Sequence, residues 1–151
     1  MLDDIDKKLL AALQGNAHYT AQDLSERLNL SASQAGRRRQ KLEADGYISG
    51  YHAHLEASRI GLTVQAFVQV QLRSHGPEEA RGFARLAEIR PEIISVWTLT
   101  GDSDYLLRIY CQDLSSLNQL IHNVILPHPA VARVQSQIVM DQLKQDAPLP
   151  T

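Results

Sequence analysis

Four cations, Arg37, Arg38, Arg39 and Lys41, crowd a segment whose composition otherwise reads as helix. Such a cluster suits either a solvated face or the phosphates of a nucleic acid. Helical geometry sorts the cluster. At about 100° per residue, Ala35, Arg39 and Leu42 share one side, Ser33, Arg37, Gln40 and Lys41 lie opposite, and Gln34, Gly36 and Arg38 flank them. The outward face is polar and cationic, with side chains long enough for base edges and phosphates. Arg39 falls on the core side, where its stem is expected to pack while the guanidinium reaches outward. Gly36 costs about 1 kcal/mol relative to Ala inside a helix, so a close approach is expected there, by a neighbouring helix or by DNA. A second group with chemical potential is Gly101-Asp102-Ser103-Asp104. Glycine permits a tight turn whose free N–H groups suit a carboxylate. Asp102 and Asp104 could hold an ammonium by charge-assisted bonds, or could simply cap the turn of a hairpin.

The cations sit at the end of a longer pattern, Thr20 to Gly46. Thr20 caps a helix whose inner positions are Ala21, Leu24, Ser25 and Leu28, with Asp23 at its positive end. Asn29 breaks that helix, Leu30 enters the core, and Ser31 caps the cationic helix, which stops at Gly46. Two capped helices with a short joint and a cationic second member form a helix-turn-helix of the DNA-reading kind. An earlier helix over Asp3–Leu13 carries Asp3, Asp4 and Asp6 at its start and Ile5, Leu9, Leu10 and Leu13 inside. It ends at Gly15-Asn16 and completes a three-helix head. Tyr47–Leu55 alternates as a strand would and is expected to form a wing or connector, with His52 and His54 on one side.

Composition narrows the partners. The chain has 151 residues, 44% apolar and 21% charged, with a net charge of −2, so DNA affinity must come from a local patch and not from bulk charge. The lone Cys111 cannot form an internal disulfide and reads as a buried thiol in a reducing compartment. The start, MLDDIDKK, is not a leader, and no apolar run reaches the ~20 residues of a membrane span. A cytoplasmic protein is expected, with no metal and no cofactor.

The second half switches period. Val64–Leu72 alternates as a half-buried strand, Ser74–Pro77 turns, and Glu78–Ile89 is a helix with Phe83, Leu86 and Ala87 inward. Strands follow over Ile93–Thr100 and Asp104–Cys111, joined as a hairpin. Asp113 then opens a helix with Leu117, Leu120, Ile121, Val124 and Ile125 on one side. Val131–Leu143 is the last strand, and QDAPLPT a loose tail. The order is β-α-β-β-α-β, the ferredoxin-like plan, giving an α+β protein. Its expected divisions are 1–50 (helix-turn-helix), 51–62 (linker), 63–144 (βαββαβ) and 145–151 (tail).

A helix-turn-helix followed by βαββαβ resembles the Lrp/AsnC, or feast/famine, family of prokaryotic transcription regulators. The markers are Leu2-Asp3 with Asp6 and Leu9-Leu10; Leu30-Ser31; Arg38 with Leu42-Glu43 and Gly46; Gly50-Tyr51; and Thr100 through Leu107. The resemblance spans Leu2 to Lys144. It implies a homodimer joined through its sheets, stacked further into tetramers or octamers, with an amino acid or related metabolite bound between dimers. It places the effector contacts at Leu99, Gly101, Asp102, Asp104, Leu114, Gln137, Ile138 and Val139, with Asp104 the principal one. The chain departs from the family at Ala35 and Arg39, where β-branched residues are usual, at Ala130, where glycine is frequent, and at Gln137, where some relatives carry an aromatic. Trp97 shares a strand face with Leu99 and belongs either to the pocket or to the dimer contact.

On double-stranded DNA, Ser33, Gln34 and Arg37 are expected at bases, and Arg38, Gln40, Lys41 and the N–H groups near Ser31 at phosphates. Two other functions fit the same scaffold. One is an architectural protein that coats DNA without sequence preference, its weak sites multiplied by assembly. The other is an enzyme like the sirohaem decarboxylases, which resemble this family in both domains. Against the enzyme stand the absence of a His-Asn-Tyr stretch in the second half, where His75, His122 and His128 are scattered, and a Gly101–Asp104 turn of the effector type.

Overall fold

The computed structural model describes residues 2–74 and 76–151. His75, in the turn expected over Ser74–Pro77, lies outside the described residues, as does Met1 of the MLDDIDKK start. The chain forms two compact units, Met1–His54 with Leu143–Thr151, and Leu55–Gln142.

The first unit is the three-helix head: α1 (Asp4–Gly15), α2 (Ala21–Leu28) and α3 (Ala32–Ala44). Each helix opens with a reciprocal capping box, Asp3 with Asp6, Thr20 with Asp23, and Ser31 with Gln34. Each box satisfies two backbone donors that a helix start leaves orphaned. Asn29 ends α2 in the left-handed conformation at φ 54°, the break its sequence position implied. The core is small: Leu9, Leu13, Leu24, Ala35 and Leu42, with Leu28, Leu30 and Ile48 packed against it. Ser25 is buried because its hydroxyl donates to the Gln22 carbonyl at 2.7 Å.

The strand expected over Tyr47–Leu55 does not form. Alternation alone cannot make a strand; it needs a pairing partner, and no other segment of the head is a strand among the described residues. The Tyr47 and Ile48 N–H groups instead donate to the Leu42 carbonyl at 2.9 and 3.3 Å, closing the end of α3. The alternation that put His52 and His54 on one side therefore does not apply.

The second unit begins with a 3₁₀ turn, Ala57–Ile60, and continues β1 (Val64–Leu72), α4 (Pro77–Ile89), β2 (Ile93–Thr98), β3 (Tyr105–Cys111), α5 (Leu114–Leu120) with a π-helical turn Ile121–Ile125, and β4 (Val131–Ile138). The strands form one antiparallel sheet in the order β2-β3-β1-β4, the ferredoxin-like arrangement. Ala66, Val68, Val70 and Leu72 of β1 and Leu107, Ile109 and Cys111 of β3 pack under Phe83, Ala87, Leu117, Leu120 and Ile125. Burial pushes the Cys111 thiol up from its ordinary range, with Glu92 and Asp113 adding to the effect, so it is a poor nucleophile.

Two strands are shorter than their sequence patterns. β2 stops at Thr98, because the Leu99 N–H closes the hairpin onto the Asp104 carbonyl at 2.8 Å. β4 stops at Ile138, paired with Ala66, after which the Val139 N–H reaches the Gln65 carbonyl at 2.9 Å. No further β1–β4 pair follows, although β1 runs on to Val64, and Met140 and Leu143 are 99% and 93% exposed. No helix among the described residues is long and apolar enough to cross a membrane.

Candidate nucleic-acid interface and effector site

The outward face of α3 comprises Ser33, Gln34, Arg37, Gln40, Lys41 and Ala44, all exposed. Their spacing (i, i+1, i+4, i+7, i+8, i+11) is one helical stripe. Arg37 and Lys41 on it have no hydrogen bond or ion pair within the described head. Gln34 also serves the cap: its Oε1 accepts the Ser31 N–H at 3.0 Å while the Ser31 Oγ accepts the Gln34 N–H at 3.2 Å. Ser31 is thus a helix-starting residue beside the free N–H groups of the first turn.

Arg38 and Arg39 are turned to other tasks. Nη1 of Arg38 donates to Asp3 Oδ2 at 2.7 Å and to Asp6 Oδ1 at 2.6 Å, clamping α3 to the start of α1. Both ion pairs run through Nη1, so Arg38 holds α3 against α1 while its side chain also lines the groove formed with Gln34, Arg37 and Lys41. Asp3 is held below the ordinary carboxylate range, first by the Asp6 N–H and then by Arg38, and Arg38 is raised by the two aspartates. Arg39 does pack, but its guanidinium does not reach solvent freely. Nε donates to Glu43 at 3.0 Å, Nη1 to the Tyr19 carbonyl at 2.9 Å, and the group lies 4.8 Å over the Tyr51 ring. The Tyr51 hydroxyl donates to Glu43 at 2.7 Å, and together with Arg39 it lowers the Glu43 carboxyl. Of the four cations on the helix, Arg37 and Lys41 are the two without an ion pair among the described residues.

Gly36 faces Ala21, and a Cβ added there would meet the Ala21 Cβ at 3.7 Å, an ordinary contact. The close neighbour is α2, and it leaves room for a methyl group.

The residues expected at the effector site fall into two groups. Leu99, Gly101, Asp102 and Asp104 sit at the hairpin end of the sheet, beside Val70 and Leu72. Leu114, Gln137, Ile138 and Val139 sit at the other end, beside Val64–Phe67 and Cys111. The span of β3 between them, Tyr105 to Cys111, is roughly 20 Å at ~3.3 Å per residue. One chain does not bring the two groups together.

At the hairpin end, Gly101 adopts φ 112°, a conformation side chains resist. The N–H groups of Thr100 to Ser103 have no acceptor among the described residues. Asp104 is not simply available as a ligand contact: its Oδ2 accepts the Leu72 N–H at 2.7 Å, where the β1–β4 register shifts, and its own N–H donates to the Val70 carbonyl at 3.0 Å. Asp102 is exposed and, with Ser103, Gln69, Gln71, Arg133 and Gln135, lines a cavity of about 140 Å³. Asp102 and Arg133 face this space without pairing with each other. Sequence reasoning missed Gln69, Gln71, Arg133 and Gln135. Their signal was the alternation of β1 and β4, which puts them on the face opposite the helices.

Known proteins agree with both halves. Residues 65–149 match the Lrp/AsnC ligand binding domain, and residues 2–49 a winged helix-turn-helix DNA-binding domain. The chain is 33% identical over 150 residues to the DNA-binding transcriptional activator DecR of Escherichia coli, covering 99% of each. It is 34% identical over 149 residues to the glutamate uptake regulatory protein of Zymomonas mobilis, covering 99% of this chain and 90% of that one. A transcriptional regulator from Neisseria meningitidis, solved as a complex with L-methionine, superposes with a TM-score of 0.95 at 35% identity, over 99% of this chain and 97% of its own.

Proposed function

This chain belongs to the Lrp/AsnC family of DNA-binding transcriptional regulators, and from that premise we propose that it reads a specific operator through α3 and answers to an α-amino acid bound at the hairpin end of its sheet. The observation that carries the first part is the exposed α3 stripe with Arg37 and Lys41 uncommitted. Ser33, Gln34 and Arg37 face bases in the major groove; Gln40, Lys41 and the N–H groups beside Ser31 hold phosphate. Arg38 is a positioning residue, setting α3 against α1.

The effector reading rests on the cavity beside Gly101. A guanidinium and a carboxylate that face one space unpaired suit a zwitterion, Arg133 taking the carboxylate and Asp102 the ammonium. The apolar group at Leu114, Ile138 and Val139 comes from a second copy, which reconciles one site with two ends of a sheet. Copies pair through the sheet face opposite the helices, where the register sets Trp97 beside Leu106 and the indole is 45% exposed. Homodimers stack into tetramers or octamers, and the amino acid acts by its differential affinity for two assembly states. The protein works in the cytoplasm.

The test is fluorescence anisotropy with DNA from upstream of its own gene against random DNA of equal length, at one salt concentration. A preference of about a thousandfold or more is expected of a specific reader. Equal binding would replace this reading with a DNA-coating one. For the effector, Asp102→Ala and Ile138→Asp proteins each lose amino-acid binding. Mixed oligomers of the two recover part of it if the site spans copies, and recover none if it does not.

A further inference from the structure

The Pro-rich segment after β4, expected to be loose, groups with the head. Gln14, in the last turn of α1, meets one of its residues through both ends of the side-chain amide. Nε2 donates to the Leu149 carbonyl at 3.0 Å, and Oε1 accepts the Leu149 N–H at 2.6 Å. Both backbone polar groups of one residue are satisfied by a single side chain.

The flanking residues explain why Leu149 is the one held. Pro148 and Pro150 have no N–H to offer, and a proline holds the residue before it extended. Leu149 is therefore the one donor of that triplet, already in the extended form that docks, so little conformational freedom remains to be lost. Its side chain stays 75% exposed. The contact is one of backbone with amide, not of apolar burial.

Leu149 and Thr151 line one side of a groove of about 570 Å³ whose other walls include Leu10, Leu13, Ile48 and Tyr51. One wall, Tyr47–Tyr51, lacks regular structure, yet it secures the end of α3. Tyr47 and Ile48 bond to Leu42, and Tyr51 bonds to Glu43 beneath the Arg39 guanidinium. A wall without a hydrogen-bonding ladder of its own depends on what packs against it.

We propose that Leu143–Thr151 is a strap: held by Gln14, it braces the Tyr47–Tyr51 wall and so fixes α3 for reading. Any effect on DNA rests on the function proposed above; the bracing does not.

The experiment is amide hydrogen exchange on the unaltered protein and three variants, alongside the anisotropy titration. Gln14→Ala removes both bonds and favours the helix. Leu149→Pro removes the donor and leaves α1 untouched, while Leu149→Ala is the control that keeps both bonds. In the unaltered protein the Leu149 amide is protected about tenfold or more over an open chain. Gln14→Ala abolishes that protection; it and Leu149→Pro, which has no amide at 149 to read, both speed exchange at Ile48 and Tyr51 and weaken binding to upstream DNA by about fivefold; Leu149→Ala does none of these. An unprotected Leu149 amide in the unaltered protein overturns the strap, as does lost protection with unchanged exchange at Ile48 and Tyr51. If the unaltered protein shows no preference for upstream DNA, the function proposed above fails, and the exchange data alone judge the strap.

Discussion

The two units solve the problem of presenting a binding surface in opposite ways. The head places its reading stripe on 13 contiguous residues, Ala32–Ala44, and a single chain completes it. The sheet unit scatters its candidate effector residues to the two ends of four strands, and a single chain does not complete that site. The difference follows from geometry. A helix returns a side chain to the same face every three or four residues, so a stripe is written locally. A sheet face is built from strands distant in sequence, and its ends are as far apart as its strands are long. The supporting chemistry differs likewise. The head has five fully or nearly buried apolar residues in its core and relies on capping boxes and ion pairs. The sheet unit has a core three times that size, 15 residues.

The largest test of this contrast is Leu24→Ala. Leu24 is fully buried in the small core, and truncations of this kind cost about 2–5 kcal/mol. The head is expected to lose its cooperative melt by circular dichroism, while fluorescence of Trp97, the one tryptophan, reports an intact sheet unit. If both signals collapse together, the two units do not fold independently.

Arg37→Ala and Arg38→Ala separate reading from positioning. Arg37→Ala is expected to weaken operator binding by about 1–3 kcal/mol and relax preference at one base pair. Arg38→Ala is expected to lower the melting temperature of the head and to leave the salt dependence of DNA binding unchanged. A salt slope reduced by about 1 in the Arg38 variant would instead place that guanidinium on a phosphate.

Acid distinguishes the units by how many lowered carboxylates each carries. Asp3, Asp23 and Glu43 of the head are all held below their ordinary range, by the Asp6 N–H and Arg38, by Thr20 and Arg27, and by Tyr51 and Arg39 respectively; in the sheet unit Asp113 is lowered by its capping bonds to Ser116. A depressed folded-state pKa adds stability that is complete above the unfolded value and lost as pH falls through the folded one. With three such groups against one, the head is expected to unfold first as pH drops below the ordinary carboxylate range of 3.8 to 4.5. Following ellipticity and Trp97 emission through one acid titration checks the order.

Gly36→Ala is the smallest change. The added methyl meets Ala21 at ordinary distance, and helix propensity predicts a gain of up to about 1 kcal/mol. A thermal melt measures it. A head that melts higher yet binds operator more weakly would show that DNA, and not α2, is what requires the glycine.

Much of this architecture is visible in residue order because its causes are local. Thr20 with Asp23 and Ser31 with Gln34 announce helix starts by spacing alone, Asn29 announces the break, and the alternation of Val64–Leu72 reads directly as β1. What is not visible shares one cause. Tyr47–Leu55 has the alternation of a strand, but a strand exists only where another offers its N–H and C=O groups, and no other strand lies in the head among the described residues. The helix position of Arg38 suits a phosphate but does not disclose that the side chain also holds α1. Its partners there, Asp3 and Asp6, stand more than thirty residues earlier.

The sequence by itself determined the helix caps, the period of each element, the two-part plan and the family. These depend on neighbours within a few positions and on the order of elements, which residue types state outright. Only the tertiary structure decided which cations are ion-paired, where Asp104 sends its carboxylate, that the residues expected at the effector site lie at two ends of one sheet, and that Gln14 holds Leu149. Each of those pairs groups far apart along the chain, and hydrogen bonds over a few ångströms are set by how elements pack, not by the residues that flank them.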